Sequence, residues 1–154
     1  MDTFEIAGLP LHPLIVHALV VLLPLTALAL LLGTFLPAAR RRLGIVTPVA
    51  ALIVLALTPV TVAAGESLMQ AVGPLPGVAE HAELGRMLLP WTIGLFVVSA
   101  AQWAWYRFRP DRTDPRRSDA VVTVVLGVLA VAVAVGSTVM MVLIGEAGAR
   151  AVWG

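Results

Sequence analysis

Every histidine of this 154-residue chain, and most of its carboxylates, lie at matching ends of four long apolar runs. His12 and His17 open the first run, Glu66 closes the second, His81 and Glu83 open the third, and Glu146 closes the fourth. Runs that cross a bilayer alternately bring these six groups to one layer near one face. Ionisable groups at that depth are costly to keep, so the layer reads as a functional site. Neutral imidazole ligates haem iron and metal ions, and its second nitrogen needs an orienting partner such as a carboxylate.

His17 is one turn inside the first run, roughly 6 Å from its start at 1.5 Å per residue. His81 is expected at the outer start of the third run, with a nitrogen left for ligation. The first and third runs are parallel and should be diagonal in an up-down bundle, a geometry suited to a haem b held between His17 and His81. Glu66 and Glu146 would tune that site or relay protons. His12 is five residues from His17, about 140° around a helix, and does not share its face. Its position before proline biases it out of helix, so it folds back to the site, caps the first run or bonds the outer loop. A second option is a Zn, Cu, Fe or Mn ion among His12, His17, His81, Glu66, Glu83 and Glu146, although the Glu-x-x-His spacing of di-metal bundles is missing. A bland reading stands beside both. Glu83 pairs with Arg86 in a wet loop, and Glu66 and Glu146 merely end helices.

The elements that position these groups follow from composition. Hydrophobic residues make up 60% of the chain and charged ones 12%, with a mean hydropathy of +0.98. A soluble domain is about a quarter charged, so this is a membrane composition. Spanning the hydrocarbon takes about 20 apolar residues in a helix. Residues 13–36, 43–64, 84–106 and 120–144 qualify, and only Arg86 interrupts them. The expected fold is all-α: a four-helix transmembrane bundle, up-down, in one domain. Pro13 suits a first helical turn. Pro24, Pro48, Pro59 and Pro90 are expected inside spans, where they bend helices. The absence of cysteine excludes disulfides and thiolate sites. Asp2 and Glu5 stand where a signal peptide would be basic, so the first run is read as a permanent span.

Arginine sets the orientation. Arg40, Arg41 and Arg42 follow the first run, and Arg107, Arg109, Arg112, Arg116 and Arg117 follow the third, eight of the ten basic residues. The positive-inside rule places both loops in the cytoplasm and both termini outside, in a bacterial inner membrane. Trp103, Trp105 and Tyr106 then form an interfacial belt. In the outer loop, Gly73, Pro74, Pro76 and Gly77 predict a short turn of helix followed by a sharp bend.

The two halves echo one another. Gly65-Glu66 leads to Ala71-Val72 as Gly145-Glu146 leads to Ala151-Val152, and Pro24-Leu25-Thr26 resembles Pro90-Trp91-Thr92. Each half is a helical hairpin, so the repeats are parallel, and Glu66 and Glu146 are expected at equivalent positions beside a central axis. The small residues Gly127, Ala130, Ala134 and Gly136 would leave room for a flat ring or serve close packing.

The opening Leu11-His12-Pro13-Leu14-Ile15-Val16-His17 and the closing Gly145-Glu146-Ala147-Gly148-Ala149-Arg150-Ala151-Val152-Trp153-Gly154 resemble an uncharacterised family of bacterial four-span membrane proteins. The likeness covers essentially the whole chain. It implies a fold like the two-haem b-type cytochromes, and some relatives are joined to Rieske iron–sulfur domains, which favours membrane electron transfer. Relatives often carry His where Glu146 stands, so one potential ligand is missing and a second haem is not expected.

Three functional readings follow. The first is a cytochrome-b-like electron-transfer protein passing electrons near the outer face to a redox partner such as an iron–sulfur protein. The second is a cofactor-free accessory subunit of a respiratory complex or a homo-oligomer. The third is a non-haem metal-binding or ion-handling protein. Lipid is a partner in each and nucleic acid in none, and any catalysis would need a partner or the outer-face cavity.

Overall fold

The computed structural model describes residues 5–6, 9–73, 76–109 and 117–153, so Asp2, Pro74, Arg112, Arg116 and Gly154 lie outside the described residues. A two-residue antiparallel pair, β1 (Glu5–Ile6) and β2 (Leu9–Pro10), leads into six helices. These are α1 (Leu11–Phe35), α2 (Pro37–Leu43), α3 (Val46–Val72), α4 (Pro76–Arg86), α5 (Leu88–Phe108) and α6 (Arg117–Trp153). Four of them, α1, α3, α5 and α6, are apolar and long enough to cross a membrane, as the four runs predict.

Two boundaries differ from expectation. The helices α3 and α6 continue past Glu66 and Glu146 by about two turns, since neither a glycine nor a glutamate is a sufficient stop. The chain turns instead at Gly73, whose φ of +89° is open to glycine at little cost. The expected order of turn and bend is also reversed: the extra outer helix, α4, comes after the bend. Pro24 and Pro59 lie inside helices as expected. Pro48 and Pro90 instead occupy first turns, where the missing N–H has no intrahelical partner to lose.

The spanning helices form a ring. Each of α1 and α5 packs on both α3 and α6, while α1 and α5 face one another across the diagonal. Lipid is as apolar as leucine, so close packing and hydrogen bonds, not water exclusion, must hold such helices together. The interior is layered accordingly. Leu19, Leu23, Val54 and Leu88 pack in one cluster, and Leu30, Ala51, Leu95, Val98 and Ala130 in another. Thr26 and Thr92, buried between them in sequence, each return the hydroxyl to a carbonyl of their own helix, as does Ser137. Val124, Val128 and Val142 are each 63% exposed, the pattern of a lipid-facing surface.

The small residues of α6 serve packing. Ala130 and Ala134 are buried, and the Trp91 ring fills the place of a side chain at Gly136. The room expected for a flat ring is thus taken by the protein's own indole. At the arginine-rich end Arg40 folds back onto α1, donating Nε–H to Gly33 O at 2.8 Å and Nη2–H to Thr34 O at 3.0 Å. These are carbonyls of its last turns, which no further helical N–H satisfies.

Candidate functional site

At the opposite end two histidines meet. His12 in the first turn of α1 donates Nδ1–H to Thr61 O of α3 at 2.9 Å. His81 in the middle of α4 donates Nδ1–H to Ile144 O of α6 at 3.0 Å. A carbonyl oxygen only accepts, so Nδ1 carries a hydrogen in both rings. The ring centroids are 6.0 Å apart and the planes stand at 85°.

Local sequence explains both bonds. In a helix the side chain four residues on leans back over a carbonyl. The residue four beyond Thr61 is Gly65, and four beyond Ile144 is Gly148. A Cβ at Gly65 would lie 2.9 Å from His12 Cε1, and one at Gly148 would lie 3.1 Å from His81 Nδ1. Glycine therefore uncovers each carbonyl for an incoming imidazole. The helix α4 is pressed onto α6 by the same means one turn away, where Gly77 meets the Ala151 backbone. An ion pair from Arg150 to Glu80 at 3.2 Å closes the outside of that contact.

The other expected site residues are elsewhere. His17 is exposed on the outside of α1, its Nδ1 bonded to Pro13 O of its own helix. The angular argument is sound, but the outcome is inverted. Because His12 is helical after all and faces the bundle, His17 must face away. His81 stands near the start of the candidate span Gly77–Phe108, as expected, but on α4, before the break that precedes α5 at Leu88. Glu66 does not reach the histidines and forms an ion pair with Arg86 at 2.8 Å. Glu146 turns outward to Arg150, four residues on. Glu83 is exposed, and its expected partner Arg86 is taken by Glu66. Among the described residues no three His, Asp or Glu side chains converge on one point, so the six-residue cluster is reduced to a pair.

The matched contacts fall in a different register from the one expected of the two halves. The equivalent residues are Thr61 and Ile144, the buried Ala64 and Ala147, and Gly65 and Gly148. This pairing is three residues away from one that matches Glu66 with Glu146. Glu66 and Glu146 are both chemically conspicuous and structurally peripheral. The Ala-Gly dipeptides Ala64-Gly65 and Ala147-Gly148 are the sequence signal for the matched contacts.

Residues 8–154 match the sequence family described as a predicted membrane protein, DUF2231. The chain belongs to that family. No curated protein and no solved structure matches it. The DUF2231 match takes in all six described helices and both histidines of the pair, and the protein is an integral membrane protein.

Proposed function

We propose that this DUF2231 protein is a small membrane electron-transfer protein that holds one haem b through His12 and His81. The observation that carries the reading is the matched pair of hooks, in which two imidazoles from different helices are each fixed by a backbone carbonyl with their ring centroids 6.0 Å apart. An orienting acceptor on the second nitrogen is what a ligating histidine requires. The 6.0 Å between ring centroids is close enough for both imidazoles to serve one bound group. Bound haem would supply reversible one-electron transfer. His12 and His81 would hold it, with the Leu19, Leu23, Val54 and Leu88 cluster on the inward side.

The arginine distribution supports a cytoplasmic location for the end bearing Arg40, Arg41 and Arg42. The histidine end then faces the outside of a bacterial inner membrane with both termini, and the redox partner, such as an iron–sulfur protein, docks there. A bare Zn, Cu or Fe ion is the second reading, favoured by the close approach of the two rings, 6.0 Å between centroids. The accessory-subunit reading draws on α6, the least covered of the four spans.

The test is the visible spectrum of detergent-purified protein, before and after dithionite and after haem supplementation. A Soret band with sharpened reduced bands is expected, lost in His12→Ala and in His81→Ala and kept in His17→Ala. No absorbance after supplementation would overturn the haem reading. Elemental analysis would then separate a stoichiometric ion from a cofactor-free subunit.

A further inference from the structure

At the arginine-rich end, far from the histidine pair, α1, α2, α3 and α5 surround a cavity of about 260 Å³. Arg40, Arg41 and Arg107 lie on its wall, and among the described residues no acidic side chain does. Arg40 is fixed in place by its two bonds to α1 carbonyls and by the Tyr106 ring, 3.6 Å beneath its guanidinium carbon. It forms a rigid positive floor. Arg41 and Arg107 are exposed and reach the rim from α2 and α5. Deeper in, the cavity meets the buried Gln102 and Thr47. Gln102 is held by Thr34 at 2.7 Å.

We propose that this cavity binds a phosphate group, with Arg41 and Arg107 as the clamp and Arg40 as the fixed charge behind it. Guanidinium forks match phosphate oxygens in shape and charge, and a basic pocket between spanning helices at the headgroup level suits an anionic lipid. Three guanidinium groups on one wall favour a lipid of net negative charge, so phosphatidylglycerol or another anionic lipid is the occupant over zwitterionic ones. A soluble phosphate would satisfy the same arginines. The inference does not depend on what the histidines bind.

The experiment is thermal unfolding of the full chain in detergent, with phosphatidylglycerol, with phosphatidylcholine, and with inorganic phosphate at matched ionic strength. Phosphatidylglycerol is expected to raise Tm saturably, by about 5 °C. Phosphatidylcholine should leave it unchanged. The double variant Arg41→Gln/Arg107→Gln keeps the structural bonds of Arg40 and should lose the shift. Arg117→Gln, at the same end but off the cavity wall, should keep it. A shift with inorganic phosphate equal to that with phosphatidylglycerol retains the site and makes its occupant soluble. No shift in any arm, or an unchanged shift in the double variant, overturns the proposal.

Discussion

The His12 ring occupies the space in which a side chain at Gly65 would begin, with Nδ1 and Cε1 within 3.0 Å of the position a Cβ would take. The same relation joins His81 to Gly148 at 3.1 Å. Each glycine thus does for a carbonyl what a side chain could not, leaving it open to a second donor.

Gly65→Ala and Gly148→Ala are therefore expected to push an imidazole off its carbonyl, at about 1–3 kcal/mol each, the usual range for overpacking. In a His12→Ala background the ring is gone, and Gly65→Ala should become neutral or stabilising, since alanine favours helix by about 1 kcal/mol. Chemical denaturation of the four members of the cycle measures the coupling. Equal effects in both backgrounds would show that the ring and the glycine do not meet.

Gly136→Ala tests a tighter fit. A Cβ there would fall 1.8 Å from the Trp91 ring, well inside contact distance. The indole is large and held between α5 and α6, so the loss of stability is expected at or above 3 kcal/mol. Trp91→Leu in the same chain should recover part of it. Recovery read as Tm in the double variant, against each single one, decides the matter.

The spans and their alternation were legible in the sequence because a stretch of some 20 apolar residues has few other uses. The contact of spans one and three only across a diagonal followed from chain reversal. The site was legible only as a layer. His81 was in it, but which of His12 and His17 faced inward depended on whether helix begins at residue 11 or 13, a boundary that proline blurs. Glu66 and Glu146 drew attention by their charge, whereas the working positions, Gly65 and Gly148, lack a side chain altogether. Arg86 could have paired within its own helix with Glu83, and only the packing of α3 beside α4 and α5 gives it to Glu66.

The Glu66–Arg86 pair is a test of that distinction. Its side chains are 41% and 54% exposed, and surface pairs contribute about 0–1 kcal/mol. Glu66→Gln and Glu146→Gln should each change unfolding free energy by less than about 1 kcal/mol and leave any haem spectrum as in the parent. A shifted reduced band in either would bring a carboxylate back into the site.

Orientation can be read chemically because the chain has no cysteine of its own. Gln70 is exposed on the last turns of α3, at the histidine end, and Ser118 is exposed at the start of α6, at the arginine-rich end. Eight arginines beside two short connections resist translocation, so the Ser118 end should remain inside. In intact cells a membrane-impermeant maleimide is expected to label Gln70→Cys and to reach Ser118→Cys only after permeabilisation. The reverse pattern would put the histidine pair on the cytoplasmic face, where an outer-side electron partner has no access. The two hooks would then be exposed to the reducing side of the membrane, with Arg41 and Arg107 against the outer leaflet.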